Sequence, residues 1–234
     1  MNTAELLVKC LEKEGVKYIF GLPGEENLNI LEALKSSSIQ FITTRHEQGA
    51  AFMADVYGRL TGKAGVCLST LGPGATNLMT GVADANLDGA PLVAITGQLG
   101  TDRMHIESHQ YLDLVTMFSP VTKWNAQIVR PSNTSEIVRK AFKVAQQEKP
   151  GAVHIDLPEN IATMSVEGKP LNPDKREKSY SAYQSMTEAA VAISKAKNPI
   201  ILVGNGGLRG NASEAITEFA TQLNIPVANT FMGK

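Results

Sequence analysis

The chain has 234 residues, 43% of them hydrophobic and 19% charged, and its 22 basic against 23 acidic side chains leave a formal net charge of -1. This describes a globular chain of one to two domains, long enough to bury a core. It gives no electrostatic footprint for nucleic acid or for an anionic membrane, so small-molecule or protein partners are expected.

In chain order, Asn2 to Val8 reads as the start of an amphipathic helix, without a basic n-region or an extended apolar h-region, so no targeting segment is expected. Apolar runs of strand length follow near residues 18–20, 39–42, 65–68, 92–95 and 152–155, alternating with helical patterns at about 4–14, 25–35, 46–61, 75–87 and 132–147. The strands are short and rich in Val and Ile, as buried parallel strands are. The alternation predicts an α/β fold, a doubly wound, mostly parallel sheet flanked by helices. The apolar runs 91–95 and 199–203 fall far short of a membrane span. Cys10 and Cys67 lie in apolar runs without CxxC spacing, which argues against a metal site and for a reducing, cytoplasmic setting.

The first domain is expected to cover 1–168. Prolines and alternating charges from Gly168 to Lys178 then mark a solvated linker, taken as 169–186. A second, Rossmann-like α/β domain starts at 187. It has a helix at 187–196, a strand at 199–203, a glycine turn at Gly204-Asn205-Gly206-Gly207, a helix at 212–223 and a strand at 225–229. That turn lacks the full G-x-G-x-x-G spacing of a dinucleotide site. Two strands are too few to close a core, so the chain is expected to be the N-terminal portion of a longer polypeptide, or to be completed by another one.

Three segments carry chemistry. Thr44-Arg45-His46-Glu47 places a carboxylate at the head of an apolar helix; the same four residues also fit a capping box, with Thr44 at N-cap and Glu47 at N3. Gly72-Pro73-Gly74 follows a strand and opens a helix at the carboxyl edge of the sheet, where α/β proteins bind ligands, and its glycines permit close backbone approach. Read alone, it is equally a tight strand-to-helix connection, and Asn77 either caps that helix or faces the ligand. Gly21-Leu22-Pro23-Gly24 repeats the arrangement one unit earlier. In the third segment, His109-Gln110, Gln110 offers a neutral amide that hydrogen-bonds without adding charge; the plain alternative is an exposed loop.

Phe20-Gly21-Leu22-Pro23-Gly24, Arg45-His46-Glu47, Gly72-Pro73-Gly74-Ala75-Thr76-Asn77 and Pro120-Val121-Thr122-Lys123 together resemble the acetolactate synthase family of thiamine diphosphate enzymes, essentially from end to end. The resemblance implies a complete pyrimidine-binding domain and the opening of the central domain. It assigns Glu47 as the catalytic carboxylate on N1′ of the aminopyrimidine. Pro23, Gly24, Gly72, Pro73, Gly74 and Asn77 then lie against the cofactor, with Gln110 and His109 on the substrate side. The family's Gly-Asp-Gly triplet, which holds magnesium and the diphosphate, does not occur in the sequence, so magnesium is expected through a C-terminal domain and no metal ligand is assigned. Some members bind FAD in the central domain; FAD is not predicted here.

The implied reaction is decarboxylation of pyruvate and its joining to a second pyruvate to give 2-acetolactate, in a homodimer or homotetramer whose sites lie between subunits. His109-Gln110 departs from the Phe-Gln of biosynthetic members towards the catabolic branch. The alternatives are a related 2-oxoacid decarboxylase, pyruvate oxidase or sulfoacetaldehyde acetyltransferase, or a non-catalytic half-subunit that needs a separate diphosphate-binding chain.

Overall fold

The computed structural model describes residues 1–174 and 181–234, so the charged stretch Lys175-Arg176-Glu177-Lys178 of the expected linker lies outside the described residues. The chain divides into two compact units, Met1–Asp174 and Lys175–Lys234.

The first unit runs α1 (Thr3–Lys13), β1 (Tyr18–Gly21), α2 (Leu28–Leu34), β2 (Gln40–Thr43), α3 (Glu47–Thr61), β3 (Gly65–Ser69), α4 (Gly72–Asp88), β4 (Leu92–Gln98), α5 (Leu114–Phe118), β5 (Trp124–Gln127), α6 (Thr134–Gln146), β6 (Ala152–Pro158) and α7 (Glu159–Thr163). Its six strands form one sheet in the order β2-β1-β3-β4-β6-β5, and every pairing is parallel. The doubly wound parallel sheet is therefore as the sequence predicts, with one strand more. β5 carries no sequence signal because Trp124-Asn125-Ala126-Gln127 has no aliphatic run. Its amides are held instead by hydrogen bonds, Asn125 Nδ2 to the Val115 carbonyl and Gln127 Nε2 to Asp156 Oδ2 at 2.7 Å.

Alternation along each strand divides the core into two layers. Val66, Leu68, Val93, Ile95, Val153 and Ile155 pack with Leu6, Leu7 and Leu11 of α1 and with Val138 and Phe142 of α6. Each fully buried leucine of α1 contributes roughly 2 kcal/mol. Cys67, Leu92, Ala94 and Ala152 face the opposite way, against Ala50, Ala51 and Ala54 of α3 and Ala75, Leu78, Val82 and Ala85 of α4. Small residues on this second side let α3 and α4 sit close to each other and to the sheet. Lys123, in the Pro120–Lys123 segment, plays a structural part. Its ammonium donates to the carbonyls of Val144, Gln147 and Lys149 at 2.6, 2.9 and 2.7 Å, closing the C-terminal end of α6.

A polar chain crosses the second layer where α5 covers β4 and β6. Asp156 sits opposite Thr96 in the ladder and accepts its hydroxyl proton at 2.8 Å. That proton is then committed, so Thr96 Oγ1 accepts from His154 Nε2, also at 2.8 Å, which fixes the Nε2–H tautomer. His154 Nδ1 is left buried without a partner, and the ring stacks on Phe118 with centroids 4.0 Å apart. Burial pushes His154 down to about 3 and Asp156 up to about 6.

The second unit contains α8 (Tyr183–Lys195), β7 (Ile201–Val203), α9 (Asn205–Arg209), α10 (Ser213–Leu223) and β8 (Val227–Asn229), and its two strands pair in parallel. The expected glycine turn at 204–207 is instead the start of the short helix α9, with Gly204 extended at its N-cap.

The two buried groups pull stability in opposite directions on acidification. His154, depressed in the fold, costs stability as pH falls below 6.5, because the unfolded chain takes up a proton that the folded one refuses. Asp156, raised in the fold, returns stability as pH falls from about 6 towards 3.8. Removing the acid with Asp156→Asn unmasks the histidine. Between pH 6 and 4.5 the variant is expected to lose roughly 2 kcal/mol more than the unaltered chain. Urea titrations at both pH values check this, and equal losses would contradict it.

Candidate functional site

In the strand order, β1 feeds β2 on one side and β3 feeds β4 on the other, so the carboxyl ends of the adjacent strands β1 and β3 border a topological switch point. In open α/β sheets such crevices are where ligands bind. The loop after β1 and the turn after β3 meet here.

Thr70 stands at the centre. A Cβ on Gly24 would lie 2.6 Å from Thr70 Cβ, and one on Gly74 would lie 2.8 Å from Thr70 Cγ2 and 3.3 Å from Glu47 Oε1. Neither glycine can be enlarged without displacing the Thr70 side chain. The loop carrying Pro23 and Gly24 is held by Asn27, which is fully buried, accepts from the Gly24 amide at 3.0 Å and donates to the Leu22 carbonyl at 3.1 Å. Thr70 Oγ1 donates to the carboxylate of Glu26. Sequence reasoning does not single out Thr70, Asn27 or Glu26. Asn27 and Glu26 look like ordinary helix-start residues, and Thr70 gives no signal beyond its place between strand and glycines.

Glu47 opens α3 with only 6% of its surface exposed. The alternative reading of these residues, a capping box, is not what forms. The N-cap is His46, whose Nδ1 accepts from the Gln48 amide at 3.1 Å. Thr44 instead ties the ends of β1 and β2 together, its amide donating to the Gly21 carbonyl at 2.9 Å and its hydroxyl to the His46 carbonyl at 3.0 Å. Glu47 is thus at the first helical position, too close to the cap to fold back as an N3 residue. It turns across to α4 and accepts from Asn77 Nδ2 at 3.0 Å. The α3 N-terminal dipole favours a negative charge at this place. Asn77 is therefore neither a cap nor free: it orients Glu47.

Gly72 has φ +50°, and a Cβ there would lie 2.6 Å from the Gln110 carbonyl oxygen. Gln110 itself has φ +60°. The segment carrying Gln110 thus lies directly on the glycine turn, although the Gln110 side chain is exposed. Pro73, in the first turn of α4, is exposed, as are Pro23 and His109. Glu47, Asn77, Gly74 and Gly24 converge around Thr70 and Gly72 meets Gln110, whereas His109 joins neither group.

This close contact makes Gly72→Ala a severe change. It combines an L residue in the left-handed region with a clash against backbone, and it is expected to cost about 2–4 kcal/mol. Urea unfolding measures it; a loss below about 0.5 kcal/mol would contradict the contact with Gln110.

Residues 1–117 match the family model of the thiamine pyrophosphate enzyme N-terminal TPP binding domain, and residues 186–234 match that of the thiamine pyrophosphate enzyme central domain. The chain is 42% identical over 241 aligned residues to a probable acetolactate synthase large subunit of Methanocaldococcus jannaschii, covering 100% of this chain and 41% of that protein. It is 38% identical to an acetolactate synthase of Bacillus subtilis, with 97% and 40% covered, and 42% identical over 202 residues to a catabolic acetolactate synthase of Raoultella terrigena, with 86% and 36% covered. The chain therefore spans about two fifths of the length of these curated relatives. Two family models fall in register along one sequence, with relatives above one third identity throughout, and the chain belongs to the thiamine pyrophosphate enzymes.

Proposed function

We propose that this chain is the pyrimidine-binding part of an acetolactate synthase, which decarboxylates pyruvate and joins the remaining two-carbon unit to a second pyruvate to give 2-acetolactate. The observation that carries the reading is a buried carboxylate, Glu47, fixed by Asn77 at the mouth of the β1/β3 crevice. The relatives named acetolactate synthase, matched over 86–100% of the chain, supply the reaction class.

The residues fit thiamine diphosphate. A flat heterocycle needs a closely packed backbone wall, and the missing Cβ atoms of Gly24 and Gly74 let the two loops close on Thr70 at the crevice. A neutral aminopyrimidine needs an acid/base partner that is dry yet not consumed by an ion pair. The partner of Glu47 is the amide of Asn77, which holds the carboxylate in place without neutralising it. When bound, the cofactor supplies the nucleophilic carbon and the electron sink of the reaction. Glu47 holds or releases a proton at the ring nitrogen N1′, and Asn77 keeps its carboxylate turned that way. Gly24, Gly72 and Gly74 bring the loop backbones together to form the wall on which the ring lies, with Pro23 and Pro73 stiffening the two loops that carry them. Gln110, seated on Gly72, offers a neutral amide to the substrate carboxylate or carbonyl. His109 walls the same side.

Magnesium and the diphosphate are assigned to a region beyond this chain, and FAD is not assigned. The reading includes a cytoplasmic homodimer or homotetramer, in which Glu47 lies near a subunit interface. The first domain is taken as 1–168, the linker as 169–186 and the central domain as starting at 187. Among the described residues no helix is long and apolar enough to cross a membrane.

The complete polypeptide, supplied with thiamine diphosphate and magnesium, is expected to convert pyruvate to 2-acetolactate. Glu47→Gln should lower kcat by about 10²–10⁴ with an unchanged far-UV circular dichroism spectrum. An unaltered rate in that variant would remove Glu47 from the mechanism, and no acetolactate from the unaltered enzyme would overturn the reading.

A further inference from the structure

Asp156 is fully buried and has no cation beside it: it accepts from Gln127 and Thr96, and these partners and the nearby Gln98 are all neutral. An ionised carboxylate in such a place is costly, and a stabilising core would do without it. Its partners reach past the sheet to one piece of chain. Gln127 Nε2 donates to Asp156 Oδ2 at 2.7 Å and also lies 3.9 Å from Met104 Sδ. Gln98 Nε2 donates to the Leu112 carbonyl at 3.1 Å, while its Oε1 accepts from the Leu99 amide at the same distance. Met104, Leu99 and Leu112 belong to the segment 99–113, which carries His109 and Gln110 and rests on Gly72.

That segment is otherwise held by a few contacts, with Met104 and Tyr111 packed on the second core layer, the Ser108 hydroxyl on the Arg103 carbonyl and the Tyr111 ring against His105. Between β4 and α5 it forms one short turn at Thr101–Arg103 and no strand, and most of its side chains are exposed. Two of its residues, His105 and Gln110, have positive φ, a conformation that non-glycine residues keep only when their surroundings enforce it. At its start, Gly100 and Thr101 are held by Glu159 and Asn160 of α7. Its middle and end meet the amides of Gln127 and Gln98 through Met104 and Leu112, beside the packing of Met104 and Tyr111 on the second core layer.

We infer that Asp156 is a positioning residue, which fixes the amide of Gln127 and through it holds the segment 99–113, with Gln110, against the Gly72 turn. The inference rests on the acetolactate synthase reading for its kinetic consequence, and on the hydrogen bonds alone for its structural one. Asp156 touches no reacting atom. Its carboxylate is an acceptor on both oxygens, so each amide partner must present its NH₂, which fixes which way Gln127 faces. Asparagine offers one acceptor in place of two, so either Gln127 or Thr96 meets an NH₂ group.

The test uses the complete polypeptide and two readouts. Asp156→Asn should increase amide hydrogen exchange in 104–113 at least tenfold while leaving α3 and α4 unchanged. It should also raise KM for pyruvate about tenfold, with kcat within threefold and the thiamine diphosphate requirement unaltered. Gln127→Leu, which removes the amide between Asp156 and Met104, should raise exchange in 104–113 to a similar degree, and the double variant should differ less than threefold from either single one. Unchanged exchange in 104–113, loosening spread evenly over the sheet, or additive effects of the two substitutions would overturn the inference. If Asp156→Asn does not fold, Gln127→Leu alone carries the test, because it removes the amide that links Asp156 to Met104. Increased exchange in 104–113 then supports the inference, and unchanged exchange overturns it. Absence of acetolactate from the unaltered enzyme would sink the functional reading, while the exchange data still decide whether Asp156 holds the segment.

Discussion

The site depends on how tightly the turn after β3 packs against the loop after β1. Thr70 fills the space between them so completely that neither Gly24 nor Gly74 has room for a methyl group. This packing follows from topology. Adjacent parallel strands whose connections leave in opposite directions open a crevice at their carboxyl ends, and the first residues of each connection are forced together there. Once the two loops are that close, the head of α3 and the first turns of α4 face each other, and a side chain at the first position of one reaches the second turn of the other. The hydrogen bond from Asn77 to Glu47 is the product of that geometry.

Layering of the core serves the same end. Large branched side chains lie between the sheet and α1 and α6, whereas alanines dominate between the sheet and α3 and α4. Small side chains give up some buried apolar area. What they allow is close approach of the two helices that carry the carboxylate and its amide, so the stable layer and the functional layer are different faces of one sheet. The polar chain His154–Thr96–Asp156 lies on the functional face too, next to the segment that carries Gln110. Buried polarity is thereby concentrated on the side where chemistry is expected, and the opposite layer is almost purely aliphatic.

Much of this is legible in the sequence. Val66 to Leu68, Leu92 to Ile95 and Val153 to Ile155 announce the central strands through continuous apolar runs, and Gly72-Pro73-Gly74 announces the turn that ends β3. What the sequence hides has no apolar signature. β5 is an edge strand whose Asn125 and Gln127 are kept in place by hydrogen bonds to partners elsewhere in the chain, which periodicity cannot register. The capping box at Thr44 is a local pattern overridden by a tertiary bond, since Thr44 is committed to Gly21 on the neighbouring strand and the cap passes to His46. Thr70 and Asn27 matter because of what lies beside them, and nothing in their own types reveals it.

The central claim is that Glu47, held by Asn77, faces the ring nitrogen of a bound aminopyrimidine. A crystal structure of the complete polypeptide with thiamine diphosphate tests it most directly. The account predicts a Glu47 carboxylate oxygen within about 3 Å of N1′, with the bond from Asn77 retained. A Glu47 side chain turned back onto the backbone of its own helix, with the pyrimidine ring held by other residues, would contradict it.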